Sequence, residues 1–466
     1  MKRFIPRLSV APFIAVLTLL TMVSPVKAEG DNSPNEAELE SEEAEGEAQK
    51  SAPIFRFSGH FVSVAHIRSD SDFDASERYY DLDGQTEGQV ATYFRPLLSV
   101  DSGAFKLRYE AELGWNVWSR NTSGLNDAFF AHGDGVALRH RQLWAGYTFD
   151  IGLSLKVGYQ QLKDPSSLFL DHYAGALRLD LSWLGIESAL WVAQLPDSTL
   201  EGISSNGDNF LTDSFAFGFD NAWTCEAYTV DVNLYGLHDM RVIDQPLSLM
   251  TLVAGLRVKL DHLEIEGHLL GQYGQWAASG VGGIDQTILS WASQARLRHH
   301  LADFTWSIGA AYLSGDDAQE GNGTLNAFVG SGKNRSPSTW LSEDEVRDRY
   351  DNLDERIASS WGAFFINRPG LALFDLTLSY AVTPWYAPRL LAAAAIAPSA
   401  DHALGESFVG AEVALHNRFT LGDHVRLIAD LQVLIPGGAA AAFVNDVDRR
   451  ATETAFGAQL GFVADF

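Results

Sequence analysis

The chain has 466 residues, a formal net charge of −27, 12 Trp and 27 Phe. An aromatic content of 11% at near-neutral mean hydropathy excludes a disordered chain, and the lack of repeated long apolar runs excludes a helical membrane protein. No basic block exists to neutralise phosphates, which excludes nucleic acid as a partner, and the single Cys225 excludes a disulfide framework.

At the amino terminus Lys2, Arg3 and Arg7 precede an apolar run from Val10 to Val23, followed by Val26-Lys27-Ala28. Positive, apolar, then small is the order of a secretory signal peptide, so residues 1–28 are expected to be cleaved after Ala28. Residues 29–52 form an acidic leader, with nine acids and one lysine between Glu29 and Lys50. Such a segment buries too little apolar surface to offset its ordering entropy and is expected to be flexible.

From residue 53 to 466 a period of two recurs. In FKLRYEAELGWNVW, Phe105, Leu107, Tyr109, Ala111, Leu113, Trp115 and Val117 oppose Lys106, Arg108, Glu110, Glu112, Gly114 and Asn116. LSLKVGYQQL sets Leu153, Leu155, Val157 and Tyr159 against Ser154, Lys156, Gly158 and Gln160, and ALRLDLSW sets Leu177, Leu179 and Leu181 against Arg178 and Asp180. Further on, Leu256 and Val258 oppose Arg257 and Lys259. Leu263 and Ile265 oppose Glu264 and Glu266, Leu297 opposes Arg296 and Arg298, and Leu427 and Leu431 oppose Arg426 and Asp430. About 18 such segments of mostly 9–13 residues occur, the length at which a tilted strand crosses a bilayer.

Trp118, Trp183, Trp223, Trp276, Tyr312 and Tyr380 lie towards segment ends, where interfacial girdles belong. Short links such as Asp150-Ile151-Gly152 and Leu421-Gly422-Asp423 alternate with long ones. The longest, 314–356, is rich in Gly, Asn, Asp and Ser and reads as an external loop or partial plug. The fold predicted is all-β: a transmembrane antiparallel barrel of about 18 strands in the outer membrane of a Gram-negative bacterium. A β-solenoid would need a fixed repeat length, and none is present.

In such a barrel the polar faces line the lumen. They collect Lys106, Arg108, Lys156, Arg178, Arg257, Lys259, Arg296, Arg298 and Arg426, with Arg139 and Arg141 beside a strand start. Charged side chains are costly on the lipid face, so their placement on one parity marks the inside. Two readings stay open: a cationic wall drawing an anionic solute through, or a structural lumen in which opposed charges pair across strands. Glu110, Glu112, Asp180, Glu264, Glu266 and Asp430 would supply the opposing sign. No Gly-x-Ser-x-Gly elbow or His-Glu-x-x-His helix is present, so neither enzymatic activity nor a cofactor is expected, and His299-His300 reads as a solvated turn pair rather than a metal site.

The segments RHRQLWAGYTF (139–149), SLKVGYQQLKD (154–164) and IGAAYLSGDDAQEGNGTLNAF (308–328) resemble the alginate export family of outer-membrane porins. The resemblance covers about residue 54 to the end. It implies an 18-stranded barrel whose arginine- and lysine-lined lumen passes polysaccharide or other anionic solutes. Gly158-Tyr159-Gln160 departs from the Gly-Arg-Gln of that family. The function expected is an outer-membrane channel for polar, anionic or carbohydrate solutes. The alternative is a structural or adhesive barrel whose long loops bind a partner. The closing strand, AFGAQLGFVADF, places Phe456, Leu460, Phe462 and Phe466 on its lipid face, and a terminal aromatic strand resembles the signal read by barrel-assembly machinery.

Overall fold

A strand that is greasy on one side and polar on the other must still pair every backbone N–H and C=O. In lipid, only a closed sheet does this for all of them. The computed structural model shows that closure. It describes residues 53–68, 87–115, 137–194, 214–239, 246–277, 285–316, 323–331, 334, 336–338, 340–341, 359–361, 364–444 and 452–466. The signal peptide, the acidic leader and Trp118 lie outside the described residues.

In chain order the first barrel strands are β1 (Ile54–Arg68), β2 (Glu87–Ser102), β3 (Phe105–Trp115), β4 (Ala137–Thr148), β5 (Leu153–Lys163), β6 (Asp171–Trp183) and β7 (Ile186–Gln194). They continue as β8 (Phe215–Thr224), β9 (Tyr228–Asp239), β10 (Leu247–Lys259), β11 (Leu263–Trp276), β12 (Gln286–Leu301) and β13 (Phe304–Leu313). Four short strands follow: β14 (Thr324–Leu325), β15 (Phe328–Gly330), β16 (Ser359–Trp361) and β17 (Phe364–Asn367). The barrel resumes with β18 (Leu371–Tyr380), β19 (Tyr386–Ile396), β20 (Phe408–Thr420), β21 (Val425–Pro436) and β22 (Ala455–Asp465). Since β14 is a parallel addition to β12 and β15–β17 form their own small sheet, the closed antiparallel barrel has 18 strands. β22 pairs with β1, Asp465 opposite His60 and Gly457 opposite Arg68.

Short turns gather at one end of the barrel. Leu184 and Gly185 join β6 to β7 at φ of 50° and 79°, both left-handed as a two-residue type I′ hairpin demands, and glycine takes the second position without steric cost. The longer connections leave the opposite end, as external loops do in transmembrane barrels. Outward residues such as Leu252, Leu256, Leu269, Leu289, Phe374, Leu431 and Leu460 are exposed. An apolar surface of that extent fits hydrocarbon rather than water. Trp183, Trp223, Tyr380 and Trp385 are exposed at the short-turn end, where a girdle sits, and Tyr312 stacks on Trp291 at 4.4 Å towards the other. Trp276 departs from the predicted girdle. It stands opposite the fully buried Leu247, packs against the interior and has the Arg368 guanidinium 5.7 Å over its ring. The side-chain parity of β11 outweighs its position at a strand end.

The long-loop half of the lumen is largely apolar. Leu247, Leu249, Val253, Leu270, Ile288, Leu373 and Leu391 all face inward and are buried. They pack on chain that turns back into the barrel: Leu168, Phe169 and Leu170 after β5, and Leu325, Phe328, Val329, Trp340, Leu341, Phe364 and Ile366 from the connection after β13. The described part of that connection is therefore an internal plug, the second of the two forms the sequence allowed. The 3-10 turn Ala400–Ala403 and helix α1 (Gly438–Val444) bury alanines in the same core.

Candidate functional site

Two inward segments set the geometry of the lumen. Asp164 opens the 164–170 turn and is fully buried. It accepts the backbone N–H groups of Ser166 (2.8 Å), Ser167 (3.1 Å), Phe169 (3.0 Å) and Leu170 (2.7 Å), and the Ser166 hydroxyl. Burial pushes its carboxyl up, while these donors favour the charged form. Ser331 N–H then donates to Leu168 O at 3.0 Å, joining this turn to the plug. Two wall side chains bond to the plug. The Gln272 amide of β11 donates to Val329 O (2.7 Å) and accepts Val329 N–H (3.0 Å), copying a strand pairing with a side chain. Glu412 of β20 accepts the Ser338 hydroxyl (2.5 Å) and Trp340 N–H (2.9 Å).

Towards the short-turn end the inward face becomes charged. Lys106, Arg108, Lys156, Arg178, Arg257, Lys259, Arg296, Arg298 and Arg426 all fall on the inward parity of their strands. A register shift after Glu110 brings Arg141 to the same face, and Arg139 stands opposite Glu112. Lys106 faces Gly146, Gly146 faces Lys156 and Lys156 faces Arg178, which sets three cations in one row across β3–β6. Arg257–Glu266–Arg296 and Lys259–Glu264–Arg298 form two alternating rows across β10–β12.

Most of these arginines are neutralised locally. Arg257 Nη2 lies 3.1 Å from Glu266 Oε1, and Arg298 Nη1 lies 3.1 Å from Glu264 Oε2. Arg296 meets Asp375 with both terminal nitrogens, each at 2.9 Å. Arg178 lies 2.6 Å from Asp180 and 3.4 Å from Asp220, and Arg426 lies 2.8 Å from Asp465. The fully buried Glu112 accepts both Arg95 (2.5 Å) and Arg141 (2.8 Å). Arg108 makes a longer contact, 3.5 Å to Glu110. The lysines differ: among the described residues Lys106, Lys156 and Lys259 form no ion pair, and Lys156 Nζ instead lies 4.8 Å over the Trp144 ring. Solvent reaches this inner wall, since the Arg257, Arg298 and Arg426 side chains retain 42%, 43% and 48% of their exposure while facing inward.

Several members of this wall escape the period-two reading. Arg95 precedes Pro96 in a stretch without clean alternation, and Asp220 lies where the β8–β9 register skips. Asp375 carried a usable signal, because on β18 Asp375, Thr377 and Ser379 oppose Phe374, Leu376 and Leu378. His416 and Asp430, 3.2 Å apart and both buried, pair across β20 and β21. On the outer face, Phe456, Leu460, Phe462 and Phe466 are all exposed. The Phe466 ring packs on Phe94 and Phe57, each at 5.5 Å, and its backbone pairs with Gly59.

No protein-family model and no curated protein sequence matches this chain. Solved structures do. The chain is similar to OccAB2 of Acinetobacter baumannii, with a TM-score of 0.55 at 11% identity, covering 88% of this chain and 98% of that one. It is similar to OccK8 (OprE) of Pseudomonas aeruginosa, with a TM-score of 0.54 at 10% identity over 88% and 98%. The outer membrane protein opdK of the same organism gives 0.51 at 10% identity over 88% and 99%. These likenesses bear on the barrel fold and do not reach the alginate export family that the sequence resemblance suggested. At such identities the likeness establishes the fold, and that fold is consistent with an outer-membrane location.

Proposed function

We propose that the chain is an outer-membrane diffusion channel for small polar solutes, with a preference for anions. The observation that carries this reading is the wet, charged inner wall beneath an internal plug: a sealed structural barrel has no need for solvent-exposed cations inside. Because Arg178, Arg257, Arg296, Arg298 and Arg426 each sit beside a carboxylate, the preference rests on the unpaired Lys106, Lys156 and Lys259 rather than on an arginine ladder. Passage of an acidic polysaccharide is the narrower form suggested by the sequence resemblance. The paired arginines favour smaller solutes over a polyanion, which needs a continuous run of free cations. The outward aromatic face of β22 is proposed as the assembly signal, through Phe456, Leu460, Phe462 and Phe466. Reconstitution in planar bilayers tests the channel: stable conductance is expected, and a protein that leaves the bilayer silent overturns the reading.

A further inference from the structure

Trp144 differs from the aromatics of the loop core. Trp191, Tyr235, Phe169 and Phe364 are buried against one another in the loop core. Trp144 is only half-buried and stands on β4 between Arg108 of β3 and Gly158 of β5. Its Nε1–H donates to Gln142 Oε1 at 3.0 Å, and Gln142 in turn donates to Glu110 at 2.9 Å, so the indole is fixed at its polar edge. Gly146 leaves room for the ring, since a Cβ there would come within 3.3 Å of it. The remaining face carries the Lys156 ammonium at 4.8 Å.

Lys156 has charged neighbours of both signs. Asp180 attracts it, while Arg178, Arg108 and Lys106 all repel it. Asp180 is already engaged by Arg178 at 2.6 Å. A flexible four-carbon amine in that setting would swing towards the nearest carboxylate, unless something else holds it. An aromatic face attracts an ammonium without cancelling its charge.

We propose that Trp144 is a positioning residue for Lys156: its indole parks the ammonium as an unneutralised cation beside Lys106, and the two lysines form an anion subsite for the oxyanion group of a passing solute. The inference rests on the channel reading above and deepens it. Arg178 and Arg108 keep their own carboxylates, and Asp101, opposite Lys106, is taken by Arg56 at 2.7 Å, so the two lysines have no carboxylate of their own.

The test is the reversal potential of the full-length protein in planar bilayers under a KCl gradient, with heat-modifiability reporting the fold. K156Q is expected to lower the chloride-to-potassium permeability ratio by roughly two-fold or more, and W144L to lower it as far, because the ammonium is no longer held in place. The double variant should fall no further than either single one, and W144F, which retains a π-face, should recover most of the parent ratio. Should W144L not assemble, W144M provides the same loss of the π-face with a side chain of comparable reach. A parent-like ratio in W144L or W144M, beside a lowered ratio in K156Q, overturns the positioning role while leaving the channel intact. Loss in W144F equal to that in W144L overturns it too. A silent parent overturns the channel reading and a cation-selective parent overturns its anion preference; either result takes this inference with it.

Discussion

Asp375 is buried, and both terminal nitrogens of Arg296 close on its carboxylate. Removing the guanidinium alone would strand a buried charge, which typically costs about 3–5 kcal/mol, whereas replacing both partners by apolar groups is often neutral. R296M should therefore lower the thermal midpoint of the folded barrel far more than R296M/D375L does. Equal midpoints in the two variants would show that the stranded carboxylate carries no penalty. Selectivity should change little in the double variant, because the pair it removes is neutral. Parity on β12 makes Arg296 and Arg298 legible as inward cations from the sequence. Their charge state is not legible there, because Asp375 lies 79 positions away and reaches Arg296 only once β13 and β18 pair.

At the scale of elements, wall side chains hydrogen-bond the plug to the barrel. Gln272 holds Val329 through two hydrogen bonds and also contacts Thr251 and Ser290. Q272A leaves the Val329 groups unpaired, at a cost of about 1–3 kcal/mol. Larger and noisier single-channel currents are expected; currents identical to the parent would remove Gln272 from any part in holding the plug. In the 164–170 turn, D164N keeps one acceptor oxygen but turns an NH2 group towards donors that the second oxygen now receives. Protease nicking within the turn should rise in D164N, and parent-like resistance would count against that role. On the outer face, F466A removes the ring packed on Phe94 and Phe57. Reduced levels of heat-modifiable barrel with normal export are expected, while normal levels would contradict the proposed assembly signal. The inward turn of the connection after β13 left only a faint trace in the sequence. Its Gly, Asn and Ser content announces a loop, yet Leu325, Phe328, Val329, Trp340 and Leu341 are too apolar for one bathed in water. The matching sign on the wall is that β10 places Leu247, Leu249 and Val253 on the parity it later gives to Arg257 and Lys259, where an alternating strand should be polar.

For the molecule as a whole, strand number and closure follow from repetition: no single segment is decisive, but 18 alternating strands leave few other ways to satisfy the backbone in lipid. What repetition cannot encode is the division of the lumen into an apolar, plugged half and a charged, wet half. That division depends on which loops turn inward and on contacts between residues far apart in the chain, such as Ser331 with Leu168 and Ser338 with Glu412. If the charged half conducts and favours anions through its unpaired lysines, the reversal potential of the reconstituted parent protein under a KCl gradient must reveal it. Stable conductance with chloride more permeant than potassium is the expected result, and a silent bilayer or a preference for potassium would contradict it.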